Sequence, residues 1–213
     1  MAGNFFPSEF FQRQDPSDDS YFYSFPRKVV HIDENAIAAL SSVFRELLPD
    51  GGIYLDLMSS WRSHIPPERK PARVVGLGMN AEEMADNPQL DKYIVHNLNE
   101  NASLPYESGL FDAVMCNVSV QYLTQPTAVF REVNRILKPG GVFIVSFSNR
   151  CFPQKAVAIW LSTDDEQHIA LVGRYFQDSA NWVDLTAQQT DPADGYPINA
   201  DPLYVVWARK ANG

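Results

Sequence analysis

The chain has 213 residues, 45% of them hydrophobic, with 26 Asp and Glu against 17 Lys and Arg. That length allows one well-buried domain and is short for two, and a net charge of −9 speaks against a nucleic-acid partner, whose phosphates would be repelled. The apolar runs are strand-length, well short of a membrane span, and the two cysteines, Cys116 and Cys151, are too few and unpatterned for a disulfide framework or a zinc site, which fits a reducing cytoplasm.

In chain order, residues 1–32 are aromatic-rich (FFPSEFF, then SYFYSFPRKVVHI) and have neither the basic start nor the apolar core of a secretory signal. They read as an extension, loop or short helix, packed on a single domain over 33–213. Asp33 is placed to cap a helix that carries Ile37, Leu40, Phe44, Leu47 and Leu48 on one face. Pro49-Asp50-Gly51-Gly52 ends it. IYLDLMSS is a first strand entering the loop SWRSHIPPERKPA, RVVGLG a second strand followed by a helix near 81–85, and KYIVHNLN a third. SLPYESGL is a surface turn. FDAVMCN, a nearly continuous apolar run, reads as a strand buried on both faces. Pro126 sits where a first helical turn tolerates it, and Val129, Phe130, Val133, Ile136 and Leu137 make one apolar helical face. Lys138 suits the negative end of that helix, Pro139-Gly140-Gly141 stops it, and VFIVSFS is a fifth strand. A helix between two buried strands is a βαβ unit, which puts a ligand at the strands' carboxyl ends. Residues 155–160 and 165–176 read as helices. NWVDLTAQQT and DPLYVVWARK read as strands around a loop at 191–202, with Trp160, Trp182 and Trp207 in the core or an interface.

FDAV, the polar strand end Asn117, REVNRILKPGG and the strand after it come in order behind LDL at 55–57, VVGLG at 74–78 and NLNENASLPYESGLFD at 97–112. Together they resemble the class I S-adenosylmethionine-dependent methyltransferases, methyltransferase type 11 group, over residues 50–150. The resemblance implies a Rossmann-like, doubly wound α/β fold, with a mostly parallel seven-stranded sheet and an antiparallel last strand. It also implies S-adenosyl-L-methionine as cofactor and a small molecule as methyl acceptor.

In that family the first strand leads into a Gly-rich turn, where backbone approaches the cofactor closely. Here Asp56 is kept, but the turn reads Met58-Ser59-Ser60-Trp61-Arg62-Ser63-His64, without glycine. Either Ser59 and Ser60 hold the methionyl carboxylate with Asp56 facing the amino group, or Trp61 fills the cofactor's space. The acid that binds the ribose at the end of the second strand is replaced by Gly78, with Met79 after it. Asn80 or Glu82 substitutes for it, or Asn80 only caps the loop. Asn97 can accept from the adenine amino group, and the Leu98 N–H can donate to the ring.

Asn117, Gln121 and Tyr122 border the donor and acceptor sites. Arg150 can hold an acidic substrate and Asn149 can orient it. Tyr21 and Tyr23 supply a lid and a wall suited to a cationic methyl, or only anchor the terminus. Arg27 reaches toward a carboxylate in the Ser59-Ser60 turn, and Trp61 walls the pocket. A base, where the acceptor needs one, comes from His31, His64 or Tyr122. The chemistry is an in-line displacement at a sulfonium methyl, for which the protein supplies alignment and exclusion of water. The alternative is a methyltransferase-fold binding protein that has lost catalysis, to which the two altered elements point. A nicotinamide oxidoreductase is disfavoured, because no G-x-G-x-x-G opens the first helix.

Overall fold

A computed structural model of the chain describes residues 6–190 and 200–212; most of the loop at 191–202 lies outside the described residues. Seven strands, β1 (Ile53–Leu57), β2 (Arg73–Gly78), β3 (Lys92–Val95), β4 (Phe111–Asn117), β5 (Leu137–Phe147), β6 (Trp182–Thr190) and β7 (Leu203–Lys210), form one sheet of order β3-β2-β1-β4-β5-β7-β6. β1 to β5 pair in parallel, whereas β7 runs antiparallel to both β5 and β6. The order reverses between β1 and β4, which is where an open parallel sheet leaves a crevice at its carboxyl edge.

Strict alternation makes the sheet two-sided. Ala113 and Met115 of β4, with Val142 and Ile144 of β5, face α2 (Glu34–Leu47), which buries Ala36, Leu40, Val43 and Phe44 against them. Val114, Cys116, Phe143 and Val145 face the opposite way, toward α4 (Pro126–Ile136) and α6 (Asp165–Ser179). Phe130 is the hinge of that layer, with its ring 4.9 Å from Phe143, 4.8 Å from Phe176 and 5.7 Å from Tyr175. Asp33 caps α2 through the Ala36 N–H, as its place before the periodic run predicts.

Three local readings need correction. Lys138-Pro139-Gly140-Gly141 is no free turn. It bulges within β5, between the pairings Phe111 with Leu137 and Ala113 with Val142, and Gly140 takes a φ of 75°. Lys138 does not complete the helix end; its Nζ donates to both Asp112 oxygens at 2.8 Å, and Asp112 also accepts the Ile53 N–H. The cation that bonds the carbonyl at the α4 carboxyl end is Lys210 of β7, at 2.8 Å from the Leu137 oxygen, beside Arg135 in the helix's last turn. The helix expected at 155–160 is shorter and later, α5 (Ala158–Leu161), because Lys155 is drawn into a buried ion cluster instead.

That cluster fastens the N-terminal segment. Lys155 is fully buried, with its Nζ 3.0 Å from Asp15 and 3.3 Å from Asp19. Asp19 opens a one-turn helix, α1 (Asp19–Phe22), and also takes both Arg13 contacts, at 2.6 and 2.8 Å. Burying charges is tolerable only when they are paired, and here each has a partner.

Candidate active site

A cavity of about 530 Å³ opens at the carboxyl edge, with walls from the ends of all five parallel strands and from the N-terminal segment. Its floor comes from Met58–Ser60 after β1, Gly78–Asn80 after β2, His96–Asn99 after β3 and Asn117–Ser119 after β4, and Asn149–Pro153 closes the β5 side. Two of these strand ends carry non-glycine residues in the left-handed region, Met58 (φ 60°) and Val118 (φ 52°). For β-branched Val118 that conformation is strained, and such strain clusters at binding sites.

The turn after β1 is organised from beneath by Asp56. This carboxylate is 2% exposed, and its Oδ2 accepts from the hydroxyls of Ser59 and Ser63, each at 2.6 Å. Ser63 in turn accepts from Asn87 Nδ2 at 2.9 Å. Burial pushes the Asp56 carboxyl up to about 6, and the two serine hydroxyls hold it from rising further. Asp56 borders only a small adjoining cavity, so the expectation that it faces a ligand's amino group in the main cavity does not match its placement. The chain from 58 to 72 then returns to β2 without a helix.

Why Gly78 ends β2 is steric. A β-carbon there would overlap the carbonyl of Ser59, whose N–H donates to the Leu77 carbonyl at 2.8 Å, so the β1 turn lies directly over Gly78. The nearest acid on this side is Glu83, from α3 (Ala81–Ala85), and not Glu82, which pairs with Lys28 outside. Glu83 accepts from the Ser60 hydroxyl at 2.6 Å and from the Arg27 N–H at 2.5 Å. Asn80 does cap α3, through the Glu83 N–H, and its Nδ2 also donates to the Tyr23 carbonyl at 2.8 Å. Sequence reading passed over Glu83 because five helical residues show no face to mark which acid turns inward.

Of the other residues singled out from sequence, Ser59, Ser60, Met79, Asn97, Leu98, Asn117, Tyr122, Tyr23, Arg27, His31, Asn149 and Arg150 all line the main cavity. Trp61 and His64 border only the small one, and the Trp61 Nε1–H donates to the Val29 carbonyl at 2.9 Å, so the indole neither plugs nor walls the large cavity. Tyr21 is 81% exposed and points away. Gln121 is buried, with its amide turned onto the Val118 carbonyl. Arg27 donates to the Phe22 carbonyl at 2.7 Å instead of reaching the serine turn.

Among the base candidates, burial pushes Tyr122 up to about 12, so it stays protonated, and its oxygen accepts the Phe152 N–H. His31 stands edge-on to Phe152 at 5.5 Å, and removal from solvent lowers its pKa, so it is neutral near pH 7. His96, Asn99 and Asp19 also line the cavity and were not anticipated. Asn99 ties the third strand's end to the N-terminal segment through Asp19, at 2.9 Å.

The methyltransferase domain family pattern matches residues 62–145. Over that segment the chain is similar to methyltransferase domains. A ubiquinone biosynthesis O-methyltransferase of Xanthomonas oryzae pv. oryzae is 40% identical over 53 residues, a match that takes in 25% of this chain and only 22% of that enzyme. Among solved structures, an S-adenosylmethionine-dependent methyltransferase from Mesorhizobium loti superposes with TM-score 0.55 at 16% identity, covering 79% of this chain and 96% of that one. Haemonchus contortus phosphoethanolamine N-methyltransferase 2, in complex with S-adenosyl-L-methionine, gives 0.60 at 14% identity, covering 91% and 56%. A (4+2)-cyclase, SpnF, gives 0.60 at 16% identity, covering 82% and 81%. At such identities the structures speak to the methyltransferase fold and not to the reaction. No helix among the described residues is long and apolar enough to cross a membrane.

Proposed function

We propose that this chain binds S-adenosylmethionine across the carboxyl ends of β1 to β4 and transfers its methyl group to a small molecule held beneath the N-terminal segment. The observation that carries this reading is a cavity shared by all five parallel strand ends, with a volume in the range of small-ligand sites. Its donor set suits the cofactor. Asn97 and the Leu98 N–H serve the adenine, and Glu83 serves the ribose hydroxyls in place of the missing acid at Gly78. The backbone of Ser59 and Ser60 serves the methionyl end, and Asn117 to Ser119 lie beside the methyl donor.

When bound, the cofactor supplies an activated methyl on a sulfonium that departs as a neutral thioether. The chain's own part is alignment and exclusion of water. Residues 19–31 act as the lid, held at Asn80, Glu83, Trp61 and Asn99. An imidazole nitrogen of His31 takes the proton from an acceptor that must lose one, because the ring is neutral at working pH.

A second reading, a binding protein without catalysis, draws support from the sequestered Asp56 and the helix-less return from β1 to β2. Titration calorimetry with S-adenosylmethionine and S-adenosylhomocysteine tests the cofactor site on which the first reading rests, and methyl transfer to an added small acceptor separates the two. Saturable one-to-one binding of both supports the first. Silence at millimolar concentration overturns it.

A further inference from the structure

Of the cationic side chains lining the cavity, Arg150 is already paired with Asp201, its Nε 2.6 Å from the carboxylate. Arg27 is different. It lines the cavity, is half-buried, and among the described residues meets no carboxylate at salt-bridge distance. Glu83 accepts only its backbone N–H. The guanidinium turns instead over the Phe22 ring, 4.2 Å from the centroid, with the Phe152 ring at 5.7 Å. One of its nitrogens, Nη1, bonds to the Phe22 carbonyl, which leaves donors of the planar fork for a ligand.

The walls around it are flat and apolar. Phe152 stacks on Tyr122 with the rings 28° apart, stands edge-on to Phe22 at 5.4 Å and takes the His31 ring edge-on at 5.5 Å. Such an aromatic box would ordinarily suit a cationic ligand. Here its cation position is taken by the protein's own Arg27, while Lys155, 5.5 Å from the same Phe22 ring, is already paired with Asp15 and Asp19. A second positive charge would enter against Arg27, in surroundings that screen poorly. An anion meets the reverse situation, and a guanidinium fork matches a carboxylate with two parallel hydrogen bonds.

Resting on the reading of this cavity as a methyltransferase site, we propose that the methyl acceptor is an aromatic carboxylic acid. Its carboxylate docks on Arg27, and its ring lies against Phe152 and Tyr122. Amines and other cationic acceptors are rejected at the same position.

The test uses three probes of similar shape on the full chain, phenylacetate, phenylacetamide and phenethylamine, titrated near neutral pH with and without S-adenosylhomocysteine. Wild type should bind phenylacetate roughly tenfold or more tightly than the amide, since a charge-assisted pair is lost with the charge, and the amine least. Arg27→Gln, its melting temperature checked, should erase the preference for the acid while leaving S-adenosylhomocysteine affinity in place. Equal affinity for acid and amide in wild type, failure of all three to bind, or a preference that survives in Arg27→Gln each overturn the proposal. Loss of S-adenosylhomocysteine binding in wild type would strike the cofactor reading instead, and it appears in a separate titration.

Discussion

Two connections return the chain to the head of the sheet by different physics. Between β4 and β5, α4 does so by burying Val129, Phe130, Val133 and Ile136, so the connection is held by apolar area and is indifferent to pH. Between β1 and β2, residues 58–72 do so without a helix, around a buried carboxylate that holds two serine hydroxyls. The first solution makes a rigid wall. The second makes a floor for the cavity whose stability depends on one ionisable group. A crossing held by side-chain hydrogen bonds can lose its glycines, since the left-handed turn falls to Met58 and the close approach is made at Gly78 of the next strand.

The contrast breaks most sharply at Phe130. Phe130→Ala should lower stability by about 3–5 kcal/mol, the usual cost of an aromatic cavity, with the same loss at every pH in urea titrations. A loss that varied with pH would place an ionisable group in that layer. Next is the ion cluster under the N-terminal segment. Asp19→Asn leaves Lys155 and Arg13 short of a charge partner and should cost about 3 kcal/mol or more, and that segment should become the first region cut by limited proteolysis. An unchanged cleavage pattern would detach the cluster from the segment.

At the β1 turn the sign reverses. The folded pKa of Asp56, about 6, lies above its ordinary 3.8, so the folded chain holds this proton more tightly than the unfolded one. Its contribution is therefore most favourable below pH 4, is lost as pH rises toward 6, and stays constant above. Asp56→Asn, which keeps an oxygen for Ser59 and Ser63, should match wild type near pH 4. Near pH 7 it should be more stable by up to about 3 kcal/mol, or about 6–12 °C in melting temperature. A destabilised variant at pH 7 would mean that the carboxylate is worth more than its burial costs. The smallest effect is Ser63→Ala, about 1–2 kcal/mol, which should move the pH dependence upward because one donor to the carboxylate is gone.

The same contrast explains what the sequence made legible. The β4–α4–β5 unit announces itself because apolar spacing and Pro126 are local signals, whereas the seven-stranded sheet with its antiparallel last strand is what the family resemblance implies. The cavity's position was legible for the same reason, as carboxyl strand ends share one edge. What stayed hidden depends on partners far along the chain. Lys138 fits a helix end by local spacing, while its partner Asp112 lies 26 residues away, and Lys210, which serves that helix end, lies 73 residues from Leu137. Asp56 carries no sequence mark to say whether it faces a ligand or the underside of a turn. Arg27 and Trp61 were each placed near the turn after β1, yet their hydrogen bonds run to backbone carbonyls of the N-terminal segment, which no spacing rule foretells.

The most direct measurement is titration of wild type and Glu83→Gln with S-adenosylhomocysteine. The amide that replaces the carboxylate keeps an oxygen for the Arg27 N–H and can donate to the Ser60 hydroxyl oxygen, so the turn should stay folded while the charge is lost. If the cavity is the cofactor site and Glu83 holds the ribose, wild type should bind one equivalent and Glu83→Gln should bind roughly tenfold more weakly. No binding by wild type at millimolar ligand would contradict it.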